Sequence, residues 1–528
     1  MADFATPAIS RDQLVLFPSK LDEIIPPGHR VRLLDVILRR LDWSQWEDRY
    51  DLTCGQPPIH PRHLAGVILY GLLTRVYSTR ELENALSIRN DFRWLASGQT
   101  FDHSTMAGFR VDNAEALKAL FVQVGLVARE MGFLTLNTLG FDGTRMRANN
   151  RRSGTRTPEE LQKAKDELAA KFDELQAQVA AADATDRERL TGASCQKWEE
   201  ELADITRQRQ AVDAALAEIA RLQAEGQKIP TRLPITDPQS RVMPNKEGGF
   251  APNYTPLATV DIDSGMIVSA DVIANSDEDK HLIAAIQDVQ ESFGLEKPVP
   301  NVLGDGMMST GENLAQCKEM GVDLYSPIKL GCVEGNPALR DDLSQPVAEA
   351  DLERLPTTTT RHKDGSKTTK FNKDAFVYDE VQDCYWCPAG KQLPYVHQTS
   401  ETENGRERIR YRYKSDPAEC ATCPLAARCL GKDTKQRQIS HEQHESLRIA
   451  HAKKMAKEES KQEYARRRHA GERPFATIKS QFGIRRFLTR GLVKVRNEWF
   501  WMASAFNLHR LMSLIVGATG PPAGQELK

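Results

Sequence analysis

Apolar residues recur three and four apart through residues 20–125, most clearly in IHPRHLAGVILYGLLTRVYSTRELENALSIRNDFRWL, which starts at Ile59. That period belongs to helices burying one face. Ser78, with Glu81 three residues on, marks a helix start, and Ser104 opens a shorter helix in DHSTMAGFR. Small helices with short turns fit a helix-turn-helix-like DNA-binding domain over residues 1–125, and fit a plain helical bundle as well. LTLNTLGFDGTRMRA then alternates, predicting a strand within residues 130–157 that carries Asp142 near its end, followed by Gly143. Over residues 158–228 heptad-like spacing appears, in Leu161, Leu168, Phe172, Leu175 and Val179, then in Trp198, Leu202, Ile205, Val212, Leu216 and Ile219. The break at Thr191 and Gly192 makes this a coiled-coil hairpin insertion of two antiparallel helices. It serves as an interaction arm or a spacer, not as a catalytic element.

Strand signals resume over residues 235–330. TPLATVDIDSGMIVSADVIA is two alternating runs around Asp263-Ser264-Gly265, a hairpin pattern, and a helix follows near 278–293. PVPNVLGDG is a short apolar strand ending at Asp305, STGENLAQCKEMG a helix, and GVDLYSPI another strand. Residues 331–440, rich in Thr, Pro, Lys and Cys, form a Cys-rich insertion. Long helices are expected over 441–516 and a disordered tail over 517–528. Without the insertions the order is strand, strand, strand, helix, strand, helix, strand, helix. This predicts an α/β fold with a mixed sheet, its first three strands antiparallel and the later ones parallel, in a ribonuclease-H-like topology.

The chain has 528 residues and a formal net charge of −2, but the charge is unevenly placed. From His451 to Arg496 there are fourteen Lys and Arg against four Glu. Such a block reads as a nucleic-acid footprint or as a solvated helix face. No apolar run is long enough to span a membrane, and the N-terminus, MADFATPAISRDQ, lacks the layout of a secretory signal. A cytoplasmic location follows, where the nine cysteines are not expected to form structural disulfides.

In the expected topology the ends of the first and fourth strands are neighbours and the last helix packs near both. Asp142, Asp305 and Glu472 therefore converge. Three carboxylates in one cleft repel unless cations lie between them, and Mg²⁺ or Mn²⁺ prefers such oxygen donors. Each acid also has an ordinary explanation. Asp-Gly after a strand is common turn chemistry, and Glu472 can satisfy Arg468 one helical turn away. Glu498 is a fallback third acid, although its neighbours Trp499, Phe500, Trp501 and Met502 suggest a core helix. Asp237, Asp261 and Asp277 are polar residues near the cleft with no catalytic role. The histidines at 60, 63 and 103 lack metal-site spacing and cap helices or face DNA.

The stretches HPRHLAGVILYGLLTRVYSTRELE, DHSTMAGFR, FDGTRMRANN, GDGMMSTGENL and ERPFATIKSQFGIRRFLTRGLVKVRNEWFWMASAFNLHR resemble the DDE transposases of bacterial insertion sequences. The resemblance implies metal-ligand roles for Asp142, Asp305 and Glu472. It also implies a signature of Tyr, Arg, Glu and Lys, in which Arg468, Glu472 and Lys479 match the spacing and Ala465 replaces the Tyr, with Tyr464 one place earlier. Arg468 and Lys479 thereby take DNA-contact roles, and Arg485, Arg486 and Arg490 extend the basic track. Pro474 departs from a regular helix there and is tolerated only in a first turn, with the helix starting near Glu472.

Cys384, Cys387, Cys420, Cys423 and Cys429 include two C-x-x-C pairs, a zinc-like spacing with one ligand too many. The related transposases join the Cys matching Cys387 to the later three, which makes Cys387, Cys420, Cys423 and Cys429 the structural Zn²⁺ ligands and Cys384 the spare. Reduced, buried thiols are the alternative. Cys54, Cys195, Cys317 and Cys332 have no such spacing and are taken as inert. The function implied is metal-dependent cleavage and strand transfer on double-stranded DNA, by a homodimer or larger assembly. The rivals are a nuclease of the same fold that does not join, a domesticated DNA-binding regulator without catalysis, and a coiled-coil scaffold.

Overall fold

The computed structural model describes residues 20–50, 57–150, 154–185, 192–245, 248–328, 335–361, 365–403 and 406–519. Thr191, Cys54 and Cys332 lie outside these, as does the side chain of Cys195. The chain divides into two compact units, one of residues up to Ala128 together with those from Phe500 onward, the other Arg129–Trp499. Among the described residues no helix is long and apolar enough to cross a membrane.

The first unit is helical, as the spacing of its apolar residues requires. Its helices include Arg30–Arg40, Pro61–Leu73, Thr79–Ile88, Asn90–Leu95 and His103–Asp112. Pro61–Leu73 is buried along most of its length. Pro61 takes the first position, where no N–H donor is needed, and the His60 ring accepts the Arg62 N–H at 3.1 Å. Ser78 stands at the N-cap of its helix but makes no capping hydrogen bond. The cap expected at Ser104 is supplied instead by Asp102, whose Oδ1 accepts the Thr105 N–H at 2.7 Å and the Ser104 hydroxyl at 2.9 Å. A carboxylate is the stronger acceptor for an exposed helix N–H. His63 bonds to the Leu95 carbonyl and His103 to Glu83, so both tie local structure.

The second unit is built on a mixed sheet. Its leading strand, Thr138–Gly143, pairs antiparallel with the long strand Phe250–Asp261 and parallel with Asn301–Leu303. The long strand pairs antiparallel with Ile267–Ile273, and Asn301–Leu303 pairs parallel with Asp323–Tyr325. The spatial order is thus third, second, first, fourth, fifth. The hairpin around Asp263-Ser264-Gly265 is present, with the Asp261 carboxylate accepting the Ser264 and Leu136 N–H groups. Leu282–Ser292 and Gly311–Met320 are the helices between the parallel strands. The second is capped by Thr310 and stopped by Gly321 at φ +73°.

The two interruptions fold separately. Pro158–Thr185 and Gly192–Ala224 are long helices that share a small core of Leu161, Val212, Ala215 and Ile219. Farther along, the Arg209 guanidinium lies over the Phe172 ring, so the helices run antiparallel. Residues 331–440 are not merely irregular. They contribute to a five-stranded antiparallel sheet, from Val377–Asp379 to Gln438–Glu442, around buried Phe371, Phe376, Tyr385, Leu393 and Tyr413. Its two longest strands, Gln392–Glu403 and Arg406–Lys414, are mostly polar or charged, which is why the pattern hid them.

Long helices do occur after residue 441, at Glu445–Ala456 and Leu492–Thr519, but the stretch between them is broken into short ones. Glu458–Ala465, Arg467–Ala470 and Arg473–Ala476 follow one another, then a π turn over Thr477–Gln481. Pro474 enters in the first turn of its helix, with Glu472 as N-cap. The final helix, Leu492–Thr519, is divided between the two units and carries residues 517–519 expected in the tail. Residues 520–528 lie outside the described residues.

Candidate active site

The parallel pair fixes the first two acids. Gly140 is in register with Leu303, and Asp142 and Asp305 each come two residues later. Asp142 lies in the leading strand and Asp305 in the turn just beyond the end of its parallel neighbour, so both stand at the same end of the pair, near enough for the Asp305 charge to act on Asp142. Asp305 Oδ1 accepts the Met307 N–H at 2.9 Å, which holds the turn after it. Asp142 Oδ1 accepts the Gly143 N–H at 2.9 Å and lies 3.1 Å from Arg467 Nη2, with 16% of the side chain exposed. Burial lifts its pKa to about 6. Arg467 and the Gly143 N–H pull it down, while the charges of Glu278 and Asp305 push it up.

The third acid arrives on the C-terminal segment. Gly471 Cα lies 3.9 Å from where a Cβ on Gly140 would stand, so this segment rests directly on the leading strand. Glu472 follows, with its side chain exposed. Its neighbour meeting Asp142 is Arg467, whereas Arg468 is exposed. The segment is divided into short helices at Arg466 and Gly471, although both residues keep helical dihedrals. Lys479 lies in the π turn and donates to Thr144 Oγ1 at 2.7 Å and to the Arg145 carbonyl at 2.8 Å. Arg485, Arg486 and Arg490 are exposed around buried Phe482, Ile484 and Phe487.

Glu278 is a residue the sequence did not single out. It is 6% exposed, forms an ion pair with Arg145 at 2.7 Å, and acts on Asp142. A Cβ on Gly143 would stand 2.5 Å from its Oε2, so that glycine makes room for it. Glu498 has another task, since it accepts the Leu488 and Thr489 N–H groups and the Thr489 hydroxyl at 2.7 to 3.0 Å. Asp237 is buried and accepts the Tyr254 hydroxyl and the Gly491 N–H, and Asp277 pairs with Lys280. Among the described residues no three His, Cys, Asp or Glu side chains form a ready-made metal-binding group.

In the second sheet Cys387, Cys420, Cys423 and Cys429 line one cavity of about 40 Å³. Burial pushes the Cys429 thiol up to about 11, with Arg437 opposing, and raises Cys387 as well. Cys384 is buried apart from them, near Asp379 and Asp383. Cys317 is buried in the Gly311–Met320 helix.

Residues 386–512 match the family model described as a transposase DDE domain, and residues 19–112 match the one described as a transposase domain (DUF772). Both matches indicate an insertion-sequence DDE transposase. A search of curated proteins finds no match. The DDE match takes in the four cavity cysteines and Glu472, while Asp142 and Asp305 precede it.

Proposed function

We propose that this transposase binds double-stranded DNA at the ends of its insertion sequence and cuts and joins strands at the face carrying Asp142 and Asp305. Glu472 is the third acid and the mixed sheet is a ribonuclease-H-like core. The observation that supports this best is that Asp142 and Asp305 lie at the same end of two neighbouring parallel strands, near enough for the Asp305 charge to raise the Asp142 pKa. The donor set suits Mg²⁺ or Mn²⁺, being carboxylate oxygens with Asp142 already lifted to about 6 by burial and acidic neighbours. Divalent cations, when bound, supply Lewis acidity at the phosphodiester. Arg467 offsets the acidic charge between turnovers. Arg468, Arg485, Arg486 and Arg490 follow the phosphate backbone, which makes binding strongly salt-dependent. Hydrolysis frees a 3′-hydroxyl, and attack of that hydroxyl on a target phosphodiester expels a target 3′-oxygen and joins the end.

Joining two ends calls for a homodimer or larger assembly, acting in the bacterial cytoplasm. The first unit serves end binding, and the long helical pair is a coiled-coil spacer. Cys387, Cys420, Cys423 and Cys429 hold a structural Zn²⁺, a role that suits four thiols around one small cavity. The test is cleavage of DNA carrying the repeats that flank the gene, with Mg²⁺. Asp142→Asn, Asp305→Asn and Glu472→Gln each abolish cutting, and undiminished cutting by any one removes that residue from the site.

A further inference from the structure

Three segments close on the three residues that follow Asp142. Arg145 is their hub. Its Nη1 donates to Glu278 Oε1 at 2.7 Å and to Thr255 Oγ1 at 2.9 Å, while its carbonyl accepts Lys479 Nζ at 2.8 Å. Thr144 accepts the same ammonium at 2.7 Å through its hydroxyl, and its N–H donates to the Pro256 carbonyl at 3.0 Å. Gly143 leaves the space that the Glu278 carboxylate fills. The turn is therefore held from the long strand, from the helical turn at Glu278–His281 and from the π turn that carries Lys479.

We infer that Glu278 is a positioning residue of the reaction: through Arg145 it fixes the turn after Asp142, and through that turn it anchors Lys479 and so places the segment bearing Glu472. The inference rests on the proposed function above. Lys479 is two turns along from Glu472, and its ammonium engages the turn from the side of the C-terminal segment. The same turn thus links the first acid to the third. Misplacing a reacting group by about an ångström is enough to cost about 10²-fold in rate, so the link need not touch substrate to matter.

The experiment uses the full-length protein, Mg²⁺ and a plasmid carrying the flanking repeats, with end-DNA affinity measured separately in EDTA. Glu278→Gln keeps the volume and removes the charge. It is expected to lower kcat by about tenfold or more with affinity unchanged. Arg145→Met and Lys479→Met approach the network from its other sides and show the same split. The Glu278→Gln, Lys479→Met double variant is no slower than the poorer single one, because the two act as a unit. Wild-type kcat in Glu278→Gln overturns the inference, as do losses that multiply in the double variant. A Lys479→Met protein that instead loses affinity and salt dependence marks Lys479 as a phosphate ligand and also overturns it. Asp142→Asn separates the two levels. If it cuts normally the functional reading fails, whereas an inactive Asp142→Asn beside a normal Glu278→Gln removes the network alone.

Discussion

Arg467 Nη2 stands 3.1 Å from Asp142 Oδ1, while the next residue, Arg468, is exposed. The guanidinium lowers the pKa of an acid that burial has lifted to about 6, so it keeps more of that carboxylate ionised near neutral pH.

The two arginines are therefore separable. Arg467→Met raises the Asp142 pKa further and slows cleavage more than Arg468→Ala does. Arg468→Ala weakens end binding and reduces its salt slope by about one unit. Cleavage rates and salt titrations of both variants check this, and equal behaviour of the pair refutes it.

Asp142 also costs stability. Its folded pKa of about 6 lies above the ordinary carboxylate value of 3.8, so the folded state binds the proton more tightly. Stability is retained below the unfolded value and is lost as pH rises from about 4 to about 6. The full cost above that range is about 3 kcal/mol. Asp142→Asn in EDTA therefore melts at higher temperature than the parent protein at pH 7.5, with the difference vanishing near pH 4. A gain that does not change with pH contradicts the assignment.

Glu498 holds the backbone at Leu488 and Thr489 through four contacts of 2.7 to 3.0 Å. Glu498→Ala is expected to cost about 2–3 kcal/mol, the penalty for leaving such donors without their charged acceptor. Glu498→Gln keeps one acceptor oxygen and retains measurable cleavage. Complete loss of cutting in a folded Glu498→Gln protein would return Glu498 to the acid set.

Protein purified without chelator is expected to carry about one zinc per chain, bound with release of thiol protons. Cys420→Ser and Cys429→Ser lose the metal and Cys384→Ser keeps it, because Cys384 lies away from the shared cavity. Metal analysis decides, and zinc-free wild-type protein ends the proposal.

The strands leading to Asp142 and Asp305 were legible, because an alternating run precedes the first and a short apolar run the second. Glu278 was not. Its partner Arg145 lies 133 residues away, and nothing in its immediate sequence announces the burial of its carboxylate. Arg467 was not singled out either, because the acid it meets, Asp142, lies far away in sequence. The second sheet was hidden by its polar strands, whose core of Tyr385, Tyr413 and Phe371 forms only when distant stretches pair.

The leading strand sits in the middle of its sheet, between strands that are synthesised much later, and is finally overlain at Gly140 by Gly471. During translation the first aspartate must wait for nearly the whole polypeptide before its companions arrive. On the proposed function, prematurely terminated products lack Glu472 and the segment that overlies the leading strand, so they cannot cut, and a host chromosome is spared incomplete enzymes without any dedicated inhibitor.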